Sequence, residues 1–145
     1  MTAYKIQNQD IDLKLDEKVF TPSPHGSSAL GESIKINPGE SVLDMGTGTG
    51  LLAILAAKLG GKVTAVDILE VYVELTKLNA VGNNVSIDVR VGDLFDELSE
   101  TYDVIIANVP QENISPKIKN SQDLEKNIGM NGGTDGNEIF LRMIK

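Results

Sequence analysis

SVLDMGTGTGLLAI, residues 41–54, decides the fold. An apolar run ends in Asp44, and three glycines, Gly46, Gly48 and Gly50, then alternate with Thr47 and Thr49. Leu51, Ile54, Leu55 and Leu59 follow at helical spacing until Gly60-Gly61. This order predicts a strand, a tight glycine turn and a helix stopped by a glycine pair. A dinucleotide-type GxGxxG begun at Gly46 needs its third glycine at position 51, which is Leu51. Here the third glycine comes one residue early. Asp44, two residues before the first glycine, repels a pyrophosphate at the helix N-terminus and suits a ligand with positive charge. Close packing of the strand on the helix is the plainer reading of the same glycines.

Outward from this stretch the pattern repeats. KVTAVD (62–67) reads as a second strand, and ILEVYVELTKLNA (68–80) as a helix with Val71, Leu75 and Leu78 on one face. NVSIDVRVGD (84–93) alternates Val85, Ile87, Val89 and Val91 with polar neighbours, whereas TYDVIIANVP (101–110) carries the continuous run Val104–Ala107. Strands alternating with helices predict a doubly wound, mostly parallel α/β sheet covered on both faces. The first, second and fourth strands are apolar throughout and are expected to be central; the third alternates and is expected at an edge. Upstream, QDIDLKL (9–15) alternates as a half-exposed strand, VFTPSPHGSS (19–28) reads as a loop, and ALGESIKI (29–36) as a short helix before Asn37-Pro38-Gly39. Residues 1–40 are therefore expected to flank the site and residues 41–145 to form its core.

The 26 residues 111–136 are polar and rich in Gly and Asn, which marks a long functional loop. NEIFLRMIK (137–145) begins an amphipathic helix that should lead to a fifth strand, and none follows. The expectation is a sheet truncated before its last strands, covered by a further C-terminal segment or by a partner such as a second copy of the chain.

The 145 residues suffice for one domain with a core. Twenty-one acidic against 13 basic residues give a net charge of −8, which argues against binding through phosphate backbones. With no cysteine and one histidine, thiolate chemistry and a histidine metal cluster are excluded. No 18-residue apolar run or signal-like N-terminus is present, so a soluble cytoplasmic protein without a membrane partner is expected.

Three further motifs fall at strand ends, where ligands bind in open α/β sheets. Asp67, followed by Ile68, ends the second strand 21 residues after Gly46; it can accept from both hydroxyls of a ribose, or cap the next helix. Gly92-Asp93-Leu94-Phe95 is by itself a turn, but Asp93 can accept from the exocyclic amine of a base and Leu94 can offer a backbone N–H. Asn108-Val109-Pro110 either terminates the fourth strand or holds the two hydrogens of an amine or amide. His25 is a candidate general base or a solvated loop residue. Ser27 and Ser28 either cap the 29–36 helix or bind a carboxylate, and Phe20 closes over a nucleoside or packs in the core.

The series VLDMGTGTG, AVD, GDLF and ANVP resembles the class I S-adenosylmethionine-dependent methyltransferases across residues 41–110. VFTPSPHGSSAL and GGTDGNEIF are similar to the flanks of the HemK-like amino-group methyltransferases. That resemblance implies a Rossmann-like sheet of seven strands in the order 3-2-1-4-5-7-6, of which strands 5 to 7 would be missing here. It implies S-adenosyl-L-methionine as cofactor, with Gly46, Thr47, Gly48 and Gly50 admitting its methionine part and Asp44 supporting its ammonium. Asp67 would take the ribose and Asp93 with Leu94 the adenine, with Ile68 also binding the cofactor. Asn108 and Pro110 match the first and third residues of the family's Asn-Pro-Pro-Tyr motif, so they would be catalytic, with Asn108 also near the cofactor. Val109 and Gln111 depart from the motif, and without an aromatic residue at 111 stacking on a planar substrate is lost. The reading is an enzyme that methylates a nitrogen of an amine- or amide-bearing protein, RNA or small molecule. The alternatives are a non-catalytic cofactor-binding remnant working through a partner chain, and a nicotinamide-dependent oxidoreductase.

Overall fold

The computed structural model describes residues 1–16, 19, 21–96, 98–111 and 131–145. The glycine turn sits where its sequence places it, between β3 (Ser41–Met45) and α2 (Leu51–Lys58). The chain continues through β4 (Lys62–Asp67), α3 (Glu70–Gly82), β5 (Asp88–Val91), β6 (Val104–Ala107) and α4 (Glu138–Met143). The four strands form one parallel sheet in the order β5-β4-β3-β6, with Met45 level with Val66 on one side and Ala107 on the other.

Alternate residues of β3 and β4 supply cores on both faces, as burial on two sides requires. Val42, Val63 and Ala65 pack with Leu52, Ala53 and Ala56 of α2, and Leu30, Ile34 and Ile36 join them. On the other face Leu43, Met45 and Val66 meet Val109, with Ile139 and Met143 of α4 against them. Helix α2 is apolar around most of its circumference because both sides are covered: Leu51, Ile54 and Leu55 face Ile6, Ile11 and Leu13 of an N-terminal hairpin.

That hairpin pairs β1 (Thr2–Ile6) with β2 (Gln9–Leu13). Sequence reading found only the second strand, because the turn Gln7-Asn8 carries no glycine. Both residues nevertheless take positive φ, 48° and 62°, as a two-residue hairpin turn demands. The 19–28 loop contains a π-helical turn, Pro24–Ser28, and α1 is only Ala29–Ser33.

β5 is an edge strand as its alternation predicted, with Val91 about half exposed. β6 was expected to be central, but among the described residues only β3 pairs with it, and Ile105 is 49% exposed. An apolar run signals cover on both faces and a neighbour on each edge; here one edge is unpaired among the described residues. The predicted face of α3 also shifts. Leu78 is exposed, and the buried residues are Tyr72, Val73, Leu75, Thr76, Asn79 and Ala80.

Polar residues account for that shift. Asn79 Oδ1 accepts from the backbone N–H of Lys14 (2.8 Å), and its Nδ2 donates to the carbonyls of Lys14 (3.1 Å) and Thr49 (2.9 Å). One turn further, Asn83 Oδ1 accepts from Asp12 N–H and its Nδ2 donates to the Asp12 carbonyl. The two carboxamides thus stand in for a neighbouring strand along the free edge of the hairpin. Asn79→Ala removes the partner of one buried carbonyl, Thr49, and of two part-buried groups of Lys14, so urea unfolding should show a loss of about 1–3 kcal/mol. A loss below about 0.5 kcal/mol would remove Asn79 from the frame.

Candidate functional site

The carboxyl ends of β3, β4, β5 and β6 surround a cavity of about 400 Å³. It brings together Ser27 and all but one of the residues expected to bind the cofactor or act in catalysis: Asp44, Gly46, Thr47, Gly48, Asp67, Ile68, Asp93, Leu94, Asn108 and Pro110 all line it. Gly50 stays behind the wall as the residue that starts α2, and Thr49, also lining the cavity, is its neighbour. His25 is exposed and outside the lining, which leaves it a solvated loop residue. Phe20 and most of the 111–136 loop lie outside the described residues.

The turn is built from left-handed glycines, with φ of 71°, 56° and 84° at Gly46, Gly48 and Gly50. At Gly50 a side chain is blocked outright: a Cβ would lie 2.9 Å from Thr76 Cγ2. At Gly48 a Cβ would meet nothing within 4 Å, so this glycine is required by its φ and leaves open room beside it. The N–H groups of Gly46 and Thr47 both donate to the Val66 carbonyl (2.9 and 3.0 Å), and Thr76 Oγ1 donates to the Gly48 carbonyl (3.0 Å).

Asp44 is 1% exposed and accepts from Thr47 Oγ1 at 2.7 Å and from the backbone N–H of Ala53, in the first turn of α2. The helix N-terminus therefore already holds an anion, which closes it to a phosphate. Asp67 is 6% exposed; its Oδ2 accepts from Gly48 N–H (2.9 Å) and its Oδ1 from Leu69 N–H (3.1 Å). The second bond ties the turn before α3 and not the helix itself, which has no side-chain cap, so the capping alternative does not hold. The carboxylate retains further lone pairs beside the cavity it lines. Burial raises both carboxyls to about pKa 6, against the lowering effect of these hydrogen bonds. In Asp44 the neighbouring Asp67 adds to the rise.

At the opposite end, Asp93 accepts from Arg142 Nη2 at 2.7 Å, with both side chains partly exposed. Arg142 comes from α4, 49 residues away, and no spacing in the sequence announces it. Leu94 beside it takes a positive φ of 54°, a conformation rare for a branched side chain. Asn108 Nδ2 donates to Ser27 Oγ at 3.0 Å. The capping role read for Ser27 and Ser28 does not hold: Ser28 precedes α1 but makes no capping bond, while Ser23 caps the π-helical turn by accepting from Gly26 N–H. Val109, the departure from the Asn-Pro-Pro-Tyr pattern, is buried against Leu43, Met45 and Val66. Among the described residues no acidic or histidine cluster could hold a metal, and no helix is long and apolar enough to cross a membrane.

A parallel sheet with this strand order and an acid-flanked glycine turn at its carboxyl edge defines the class I methyltransferase fold. The chain belongs to the ribosomal protein L11 methyltransferase (PrmA) family, whose model matches residues 28–132. It is 47% identical over 78 residues to the ribosomal protein L11 methyltransferase of Dictyoglomus turgidum, covering 53% of this chain and 26% of that one. It is 37% identical over 140 residues to a Methanocaldococcus jannaschii protein provisionally named a protein N5-glutamine methyltransferase, covering 96% of this chain and 70% of that one. Its fold is shared with a methyltransferase from Pyrococcus furiosus, at TM-score 0.68 and 22% identity, over 92% of this chain and 60% of the other. The chain thus spans about a quarter of one relative's length and seven tenths of the other's. A nicotinamide-dependent oxidoreductase is set aside by this membership.

The two buried carboxyls carry a pH signature. Because burial raises them to about 6, the native chain holds protons between about pH 4 and 6 that the unfolded chain releases. Their contribution to stability is full below pH 4 and is lost as pH rises through 6. Asp67→Asn should remove its share, so the unfolding free energy of wild type relative to this variant should fall by on the order of 2 kcal/mol between pH 4 and 7. An unchanged difference across that range, measured by urea unfolding, contradicts the buried assignment.

Proposed function

We propose that the protein is an S-adenosyl-L-methionine-dependent methyltransferase acting on a nitrogen of a protein side chain. The observation that carries this is the pair Asp44 and Asp67, buried at one cavity beside a glycine turn whose helix N-terminus is already filled by a carboxylate. Such a site favours a cation over a phosphate. The donor set fits S-adenosylmethionine: the cavity size suits a small cofactor, and the space beside Gly48 admits its methionine part. Thr47 and Gly46 line that part, Asp44 supports the ammonium, Asp67 and Ile68 take the ribose, and Asp93 and Leu94 the adenine.

Bound there, the cofactor supplies a methyl group on a positively charged sulfur. The chain contributes alignment and exclusion of water, an effect worth up to ~7–11 kcal/mol. Asn108 and the carbonyl of Pro110, from two residues that line the cavity, would then hold the accepting nitrogen. In this reading residues 1–40 flank the site and residues 41–145 build it. The relatives' names, for ribosomal protein L11 and for glutamine in proteins, support a protein acceptor.

Calorimetry tests the reading directly. S-adenosylmethionine should bind and NAD should give no heat; selective NAD binding would overturn the assignment. Affinity should fall as pH drops through about 6, where Asp44 and Asp67 take up protons, and Asp44→Asn should weaken binding at pH 7.5 at least tenfold.

A further inference from the structure

Asn108 sits at the end of β6, and its backbone is held because the next side chain, Val109, is buried among Leu43, Met45 and Val66. One end of its carboxamide is also held. Nδ2 donates at 3.0 Å to the hydroxyl of Ser27, which is 6% exposed and lines the same cavity from 81 residues away in sequence. Ser27 is itself fixed. It lies in the turn Pro24–Ser28, where Ser23 Oγ accepts from Gly26 N–H at 2.8 Å and the Ser23 carbonyl accepts from Ser28 N–H. The entry to that turn is fastened to the hairpin, since Tyr4 donates its hydroxyl to the Pro22 carbonyl at 3.2 Å. No described group donates to Asn108 Oδ1.

A carboxamide has two ends of nearly equal shape and opposite hydrogen-bonding sense. Turned one way it offers a cavity an acceptor, and turned the other it offers N–H donors that repel any N–H of a substrate. We infer that Ser27 is a positioning residue. By accepting from Nδ2 it leaves Asn108 Oδ1 as the end available in the cavity, where it accepts from the nitrogen to be methylated. The inference rests on the methyltransferase reading and narrows it: the acceptor nitrogen carries at least one hydrogen, as a primary amide or amine does. On transfer the nitrogen lone pair forms the new N–C bond, the S–C bond breaks with its electrons passing to sulfur, and the surplus proton leaves the nitrogen for water.

The test follows the Asn108 side-chain amide by 15N NMR, its resonances assigned by their loss in Asn108→Asp. In the wild type both Nδ2 protons should show Overhauser contacts to Ser27 Hβ and slow exchange with water. Ser27→Ala should speed that exchange at least tenfold, Ser27→Thr should restore it, and calorimetric affinity for S-adenosylmethionine should stay within about twofold. Ser27→Cys, which keeps the volume and weakens the acceptor, should behave like Ser27→Ala if the latter is poorly folded. Millimolar acetamide should shift the Asn108 resonances, and N,N-dimethylacetamide, which has no N–H, should not. An Asn108 amide indifferent to Ser27→Ala and Ser27→Cys overturns the positioning role. A more than tenfold loss of cofactor affinity, with the amide unchanged, makes Ser27 a cofactor ligand instead. An equal response to both amides, none included, overturns the acceptor class. Failure of the wild type to bind S-adenosylmethionine defeats the methyltransferase reading while the amide exchange still decides the role of Ser27.

Discussion

The carboxylate of Asp67 is the interaction on which the site's frame depends. It stands at the end of β4 and accepts from Gly48 N–H in one loop and Leu69 N–H in the next. Two loops that follow different strands are thereby locked together through a single side chain. The strand register completes the lock, since Met45 lies level with Val66 and the Val66 carbonyl then receives the N–H groups of both Gly46 and Thr47. With its donors aimed at fixed acceptors, the turn has one backbone path, and that path needs positive φ at three positions. Glycine is the residue that takes such angles without steric cost.

Charge is then distributed unevenly around the cavity. Asp44 and Asp67 are buried, with partners that are neutral hydroxyl or amide groups. Asp93, at the other end, faces the guanidinium of Arg142. The uncompensated negative charge is confined to the glycine-turn end. A molecule with a cationic centre and a neutral aromatic end matches this division, which supports the cofactor proposed above.

Much of the frame was legible because it follows periodicity. The bounds of β3 and β4, the glycine turn and the edge position of β5 come from local patterns that the structure keeps. What escaped depends on contacts between residues remote in sequence. Arg142 reaches Asp93 across 49 residues, and Asn108 reaches Ser27 across 81. Apolar spacing puts Val71, Leu75 and Leu78 on one face of α3, whereas polar Thr76 and Asn79 are inside, bonded to the glycine turn, a contact that spacing does not announce. An Asp at a strand end suits either a helix cap or a ligand, and here its two oxygens bridge two loops while α3 has no side-chain cap.

Thr76, Asn79 and Asn83 lie three and four residues apart, so they form a single stripe on α3. Through it the helix grips the glycine turn at Gly48 and Thr49, and the hairpin edge at Asp12 and Lys14. Thermodynamic reciprocity gives this stripe a meaning beyond support. Any molecule that stiffens the turn lowers the entropy left in the helix and in the hairpin edge behind it. Conversely, whatever grasps the hairpin leaves less disorder for a cavity ligand to quench. The N-terminal ribbon is thus wired to the cavity as a handle, although it contributes no strand to the sheet.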